Sequence, residues 1–499
     1  MKKVVSVLLA VLLIISVNAA SFSSYATDKC GCSYTPIVYV TGFAMTDLVA
    51  NPGTDEEYNV FMPETSAIVS AVAKLIAPTV MLRITGDYES FARSLSRILN
   101  DTMKDVACDD NGNPLNETVD VKFRVDPTAE HGYRCDNRFN YDWREDVFDI
   151  AAELNDYIEK TKELTHHDKV VLKGESMGGA VVMTYLKQYG YGSVDTVIMQ
   201  SSAFNGINLV GGLFTGDLNI KTRSVMNYIG NFIEGSDPMT VFYRSIFYAL
   251  SGFLLSPVCG ELNTVFTKGK DVLYENCLRD LFGNLTGIWT FVPNEYYEQA
   301  KEYMLDETEN AALIKKIDAY HYGIMDSTKE ILDDATAHGM KLAIISNYGK
   351  AAVPVLTYDG YQTDFLIDTA RTSLGATCAD FGAELPEGYT QSVADGHNHI
   401  SCDNAIDAST CMYPEYTWFI KDMMHTWYTS GYYDFTWWLA QHNVQPTVSE
   451  SDVFPQFLYN DQVSKTIVPL TEENSDTQNT DIDIKAMLDK IIKQYGGLP

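Results

Sequence analysis

Short apolar runs and longer amphipathic stretches alternate along most of the chain. Apolar runs bounded by turn residues predict buried strands at PIVYVTGF (36–43), KVVLKG (169–174), VDTVIMQSS (194–202) and MKLAIISNYG (340–349). Between 147 and 164 the apolar positions recur at three- and four-residue spacing, which predicts an amphipathic helix packed on a sheet. Strands that alternate with helices predict an α/β fold, with helices on both faces of a mostly parallel central sheet.

The alternation is interrupted once, by aromatic-rich helical patterns. These patterns occupy 206–339, and strand-like sequence resumes at Met340. We therefore expect a helical cap inserted between two parts of one core, 27–205 and 340–445, followed by a C-terminal extension over 446–499. The most apolar stretch of the cap begins at Thr240 but carries Arg244, so we interpret it as a buried or lid helix.

The N-terminus has the order of parts of a secretory signal peptide. Two lysines, an apolar stretch and then small residues follow one another in MKKVVSVLLAVLLIISVNAA. Cleavage after Ala19, Ala20 or Ala26 would each satisfy the small-residue rule, and the apolar run is too short for a comfortable bilayer span. We expect residues 1–26 to be removed and the mature protein to be secreted.

Charge and cysteine content narrow the function further. The formal net charge of −31 would repel nucleic acid and anionic lipid head groups, so an uncharged or zwitterionic substrate is expected. Nine cysteines in an exported chain predict disulfides. Proximity in sequence favours the pairs 108–135, 259–277 and 402–411. No C-x-x-C pair is present, so the spacing predicts no metal site.

One serine lies between glycines where a predicted strand meets a predicted helix. Ser176 is the centre of the G-x-S-x-G pattern in KGESMGG, and the helix that follows is closed by Gly190. Strand, serine turn and helix form a nucleophile elbow, whose strained backbone requires small neighbours such as Gly174 and Gly178. Gly179 would let the helix pack closely. Ser176 is therefore the candidate nucleophile.

A serine nucleophile also needs two backbone N–H groups that stabilise the oxyanion. The first candidate is the N–H of Met177, at the start of the helix, where the helix dipole favours negative charge. The second is the N–H of Phe43, because VYVTGFAM places a glycine turn directly after the first predicted strand.

Three ordered motifs resemble those of the lecithin:cholesterol acyltransferase family: PIVYVTGFAMTDL (36–48), FNYDWR (139–144) and LKGESMGG (172–179). The resemblance implies an α/β-hydrolase fold, an acyl-enzyme on the serine, and a lipid or other hydrophobic ester substrate. We also expect transient contact with lipid surfaces, and no cofactor or metal. Tyr141 to Arg144 resemble a structural loop of the family. The chain departs from the family at Thr41, where proline is usual, and at Glu175, where histidine is common; we interpret Glu175 as a solvated or lysine-paired carboxylate.

The order of the triad in this fold is serine, acid, histidine, so the base lies beyond Ser176. His425 is favoured because TWFIKDMMH is a strand-like run that ends in a loop, and the family's base likewise follows its last strand. His397 and His399 lie beside Asp395 in DGHNHIS. That segment is typical of a polar loop, with a metal or substrate contact as the alternative.

Two acidic segments compete for the third triad position. CDNAIDAST, around Asp403, resembles the family's acid segment, and TDFLIDTARTS has the same shape around Asp364. Asp403 is preferred because it lies closer to His425 in sequence, as the family's acid does, and Asp407 is a weaker third candidate.

Three functions follow from these residues. The first is a secreted serine lipase, esterase or acyltransferase that passes an acyl group through Ser176 to water or an alcohol. The second is a binding protein on a hydrolase scaffold that has lost turnover, against which the intact elbow argues. The third is an exported esterase or peptidase that acts on polysaccharide esters or peptides with the same chemistry.

Overall fold

The computed structural model describes residues 30–61, 65–130, 137–231 and 255–475. The expected signal peptide (1–26) and most of the apolar stretch that begins at Thr240 lie outside the described residues, as does Cys135. No helix in the described ranges is long and apolar enough to span a bilayer.

The described core is built on one eight-stranded sheet in the order β15-β14-β13-β8-β7-β6-β1-β5. All neighbouring strands run parallel except the edge pair β14 and β15. The strands of this sheet are β1 (Ile37–Val40), β5 (Arg138–Phe139), β6 (Val170–Glu175), β7 (Val194–Gln200), β8 (Lys341–Tyr348), β13 (Thr417–Lys421), β14 (Phe457–Asp461) and β15 (Thr466–Pro469). Smaller sheets contain β2 (Leu48–Ala50), β3 (Tyr58–Asn59), β4 (Val119–Val121), β9 (Lys350–Ala351), β10 (Gln362–Thr363), β11 (Thr377–Cys378) and β12 (Ile406–Asp407).

Helices flank the sheet and fill the connection between β7 and β8. They are α1 (Thr65–Thr85), α2 (Tyr88–Met103), α3 (Val147–Thr165), α4 (Met177–Tyr189), α5 (Asn208–Thr215), α6 (Thr222–Gly230), α7 (Lys270–Leu273), α8 (Asn294–Met304), α9 (Ala311–Tyr320), α10 (Thr328–Ala337), α11 (Thr369–Thr372), α12 (Ser430–Ala440) and α13 (Glu472–Ser475). Residues 255–268 are also helical. Two π-helices (Tyr274–Gly283, His321–Met325) and three 3₁₀ turns (Thr286–Phe291, Ala408–Thr410, Pro414–Tyr416) complete the described elements.

Both faces of the sheet are buried, because alternate residues of each strand enter different hydrophobic clusters. In β6, Val170 and Leu172 pack with α3 and α4 on one face, whereas Val171 packs on the other face with the aromatic residues of α12. Burial on both faces explains the near-continuous apolar runs of the central strands. The mostly parallel sheet expected from the sequence is confirmed.

The strand and helix positions expected around the serine are confirmed within one or two residues, but the expected C-terminal boundary is wrong. Residues 457–469 form β14 and β15, and β14 pairs with β13, so the core sheet continues past residue 445. The five residues of β14, FLYND, end in two polar residues, and the strand is too short and too mixed in polarity to give a clear strand signal.

Candidate active site

Ser176 forms the sharp turn between β6 and α4. Its backbone has φ 53° and ψ −122°, a strained conformation for a residue with a side chain. Its carbonyl accepts hydrogen bonds from the N–H of Gly179 (3.1 Å) and of Ala203 (2.9 Å), which hold the turn in place. The turn also needs Gly178, because a Cβ there would lie 2.2 Å from the carbonyl oxygen of Val40. The geometry is that of a nucleophile elbow.

The loop after β1 lies directly against the serine. A Cβ on Gly42 would be 2.7 Å from the Cβ of Ser176, so the glycine allows this close approach. The YDWR segment supports the loop: the Tyr141 hydroxyl donates to the carbonyl of Thr41 at 2.7 Å, and the Trp143 ring packs on Phe43 with centroids 4.3 Å apart. These contacts fix the backbone that presents the N–H of Phe43.

The remaining two residues of YDWR anchor the segment from below. Asp142 and Arg144 form a buried ion pair, with Nε 3.0 Å from Oδ1. The guanidinium also donates to the carbonyls of Asp105 and Val119, both at 3.3 Å. Because the remaining guanidinium donors are also satisfied, this buried ion pair holds the YDWR segment in one conformation, and it supports the site without taking part in the chemistry.

His425 lies in the loop after β13 and contacts an acid. Its Nδ1 is 2.7 Å from Oδ2 of Asp364, and both side chains are buried. Oδ1 of Asp364 accepts the N–H groups of Leu366 (3.0 Å) and Ile367 (2.7 Å). The carboxylate is thereby aimed at the ring, and an Nδ1–H donated to it leaves Nε2 as the basic nitrogen.

The acid changes the proton affinity of the base. Burial on its own lowers the pKa of His425, but the charge and hydrogen bond of Asp364 outweigh this effect, so the pKa is raised above that of a free histidine. The imidazolium that forms when a proton is taken up is therefore stabilised by the neighbouring carboxylate.

Asp403 does not contact the histidine, which corrects the preferred assignment of the acid. Its Oδ2 is 2.7 Å from Nζ of Lys421 and 3.2 Å from the hydroxyl of Tyr348, and its Oδ1 accepts from Ser401 at 2.5 Å. Asp364, the rival, is the carboxylate that holds the imidazole. Separation in sequence misled the prediction because Asp364, directly after β10, contacts His425 in the loop after β13 although the two residues are 61 positions apart in the chain.

Asp407 is also directed elsewhere. Its carboxylate accepts from the N–H of Ser409 (2.8 Å) and from the hydroxyl of Tyr389 (2.8 Å). His399 bonds to Asp395 (2.9 Å) and Gln456 (2.7 Å), as expected of a polar loop.

Glu175, directly before the nucleophile, is fully buried, which corrects the expectation of a solvated or lysine-paired carboxylate. Oε2 accepts from the Tyr39 hydroxyl and from Nε2 of Gln200 (2.6 Å), and Oε1 lies 2.8 Å from the hydroxyl of Tyr428. The same Tyr428 hydroxyl is 2.7 Å from the carbonyl oxygen of His425. The histidine loop is thus connected to the residue next to Ser176.

The hydrogen bonds that link His425 to Glu175 through the Tyr428 hydroxyl favour a neutral Glu175. The Tyr428 hydroxyl has one proton but two acceptor oxygens in reach, the His425 carbonyl and Oε1 of Glu175. If Oε1 carries a proton, it donates to Tyr428, which donates to His425, and every oxygen is satisfied. Burial is the largest influence on Glu175 and raises the pKa of its carboxyl, in the same direction.

The sequence did not indicate the partners of Glu175, because Tyr39, Gln200 and Tyr428 come from three separate segments. The cysteine pairs 259–277 and 402–411 are not formed in the structure, and the pair 108–135 includes a residue outside the described ranges. The partners of Glu175 and of the cysteines both depend on contacts between segments distant in sequence, which local sequence patterns do not predict.

Phe43, Ser176 and His425 follow the carboxyl ends of the parallel strands β1, β6 and β13, and Asp364 follows β8 and β10. Carboxyl ends of parallel strands share one edge of a sheet, where sites form in such folds. Neither the Phe43 nor the Met177 backbone N–H has an acceptor among the described residues. The fold and this group of residues define an α/β-hydrolase.

Residues 121–226 match the family model described as lecithin:cholesterol acyltransferase, which confirms the resemblance drawn from the motifs. The match includes YDWR and the elbow. A solved structure described as the Tle4-Tli4 complex aligns with 63% of this chain and 75% of its own, at 12% identity and a TM-score of 0.25. A score this low adds nothing to the fold assignment, which rests on strand order and the family match. No curated protein shows detectable sequence similarity to the chain.

Proposed function

We propose that the protein is a secreted serine hydrolase of the lipase, esterase or acyltransferase type, with Ser176 as nucleophile, His425 as base and Asp364 as acid. The observation that carries the proposal is the strained serine at the start of α4, on the same sheet edge as a buried histidine–carboxylate pair. The family match over 121–226 supports an acyl-transfer reaction.

In the acylation step, Oγ of Ser176 attacks the carbonyl carbon of the ester, and its proton passes to Nε2 of His425. The oxyanion that forms is stabilised by the backbone N–H groups of Phe43 and Met177. The tetrahedral intermediate collapses as Nε2 returns the proton to the leaving alkoxide. An alcohol departs, and the acyl group stays on Ser176.

In the second half of the reaction, water or an alcohol attacks the acyl-enzyme. His425 takes the proton of the attacking hydroxyl and returns it to Oγ of Ser176, which leaves a free acid or a new ester. The Asp364 carboxylate stabilises the imidazolium in both halves. The net charge of −31 favours an uncharged or zwitterionic substrate such as a neutral ester or a phospholipid with a balanced head group.

The test is covalent labelling with a fluorophosphonate together with ester turnover. We expect the parent to be labelled and Ser176→Ala to lose both the label and about a thousandfold or more of the turnover. Ser201→Ala is the matched control, because Ser201 is also buried with positive φ (42°) at the end of the neighbouring strand. Equal labelling of Ser176→Ala and the parent would refute the nucleophile.

The substrate is sought with p-nitrophenyl esters of graded chain length alongside phospholipid vesicles. Turnover that rises with acyl length, or release of fatty acid from vesicles, supports the lipase or acyltransferase assignment. Labelling with turnover only on acetyl esters would favour an esterase for small or polysaccharide-bound groups. The absence of any labelling would favour a binding protein.

Export is tested by N-terminal sequencing of the secreted chain, which should begin after Ala19, Ala20 or Ala26.

A further inference from the structure

Two cysteines near the start of the described chain lie beside a histidine distant in sequence. The N–H of Cys30 donates to the carbonyl of His166 at 2.9 Å, which holds the segment before β1 against the loop between α3 and β6. The Sγ atoms of Cys30 and Cys32 and a ring nitrogen of His167 all lie within 4.8 Å of one another. No other such group of His, Cys, Asp or Glu occurs in the described ranges.

The distances suit a tetrahedral metal site. Bonds of about 2.3 Å to sulfur and about 2.0 Å to nitrogen, at a tetrahedral angle, place the two ligand atoms about 3.5 Å apart. Sγ of Cys32 and Nε2 of His167 are 3.5 Å apart. Small side-chain rotations would bring all three ligand atoms to bonding distance of one ion.

The histidine is oriented as metal-binding histidines are. Nδ1 of His167 lies 2.8 Å from the carbonyl oxygen of Thr165. A carbonyl only accepts, so Nδ1 carries the proton and the lone pair of Nε2 is directed towards the Cys32 sulfur. A backbone carbonyl on the far nitrogen is the common second partner of a ligating histidine, because it fixes both ring orientation and tautomer.

We propose that Cys30, Cys32 and His167 bind one Zn²⁺ ion, with water as the fourth ligand. Two thiolates and an imidazole are typical ligands of Zn²⁺, whereas Mg²⁺ and Ca²⁺ prefer oxygen ligands. Binding displaces both thiol protons, and Cys32 gives up its hydrogen bond to the carbonyl of Tyr34 (3.5 Å). The sequence offered no C-x-x-C signal because the third ligand is 135 residues from Cys32.

The ion would be structural. His167 precedes the amino end of β6, whereas Ser176 follows its carboxyl end, so six strand residues, or roughly 20 Å, separate the two sites. An ion at this position connects the segment before β1 to the start of the strand that carries the nucleophile. It would lower the free energy of the folded state without contacting the substrate.

The test uses the full mature chain, purified with a non-thiol reductant and loaded with Zn²⁺. We expect about one zinc per chain by mass spectrometry, and a Co²⁺-loaded sample should show sulfur-to-cobalt charge-transfer absorption. Cys32→Ser and His167→Asn should each weaken zinc binding about a hundredfold or more. Cys402→Ser and His338→Asn, which alter an exposed cysteine and an exposed histidine elsewhere, should bind like the parent.

Zinc removal should lower the melting temperature and leave ester turnover at moderate temperature unchanged, so this result is separate from the outcome for Ser176. Equal zinc uptake by parent, Cys32→Ser and His167→Asn would overturn the proposal, as would uptake well below one ion per chain. A Cys30–Cys32 disulfide that persists in the reductant would overturn it as well.

Discussion

Asp364 and Asp403 lie in segments of similar shape, and the structure uses them differently. The Asp364 carboxylate is fully buried, and the Asp403 side chain is about a tenth exposed. Asp364 is held by two backbone N–H groups and contacts an imidazole, which can be neutral or charged. Asp403 contacts Lys421, an ammonium group. The two carboxylates therefore differ in role because their partners differ: Asp364 can support proton transfer by His425, whereas Asp403 neutralises a lysine and stabilises the fold.

The largest expected effect is on turnover. Asp364→Asn should lower kcat by on the order of 10³ to 10⁴, because the amide cannot stabilise the imidazolium and favours the wrong tautomer. Asp403→Asn should stay within about threefold of the parent, since it touches no reacting group. Steady-state kinetics on one ester, with circular dichroism to verify folding, provide the measurement. The reverse ranking would return the acid to Asp403.

The second effect is on stability, with the opposite ranking. Asp403→Asn leaves Lys421 buried without its counter-charge, and we expect a loss of about 3 kcal/mol in the free energy of unfolding. Asp364→Asn leaves a histidine that can become neutral, so its loss should be closer to about 1 kcal/mol. Urea denaturation gives both values. The double variant Asp403→Asn, Lys421→Met should recover most of the loss, and failure to recover would show that the charge pair is not the cause.

The Glu175 carboxyl, bound to the His425 loop through the Tyr428 hydroxyl, allows a third comparison. Tyr428→Phe removes the hydroxyl that bridges the His425 carbonyl to Glu175, and we expect kcat to fall about tenfold or more as the ring loses alignment. Glu175→Gln keeps a neutral donor at the same place and should stay within about threefold. If Glu175→Gln loses more activity than Tyr428→Phe, Glu175 is ionised in the native protein, contrary to the proton count.

The smallest effect is a shift in pH dependence. His425 acts as a base only when neutral, so kcat/KM falls as the pH drops through its pKa. Asp364 raises that pKa, and the acid limb of the parent should lie above about 6.5. In the residual activity of Asp364→Asn the limb should move to lower pH, because burial then acts without the opposing charge. Asp403→Asn serves as control and should leave the limb in place; a shift in that variant would contradict the separation of the two acids.

Much of the site was readable from local sequence. Ser176 follows from a strand, a glycine-flanked turn and a helix that are contiguous in the chain, and His425 from a loop after a strand-like run. Periodicity and turn chemistry are local properties, so these elements were predicted within one or two residues. β14 was missed because its pattern is too short to stand out.

The sequence by itself predicted the parallel α/β core, the sharp turn at Ser176 and the loop position of His425, because each was recognised from the periodicity or turn residues of contiguous stretches. Only the tertiary structure decided that Asp364 rather than Asp403 reaches His425, that Glu175 is buried among Tyr39, Gln200 and Tyr428, and that Cys30 and Cys32 meet His167. These contacts join residues that are far apart in the chain, so they depend on the paths of the loops that connect the strands. Those paths are set by packing of the whole core, and no local pattern of polar and apolar residues encodes them.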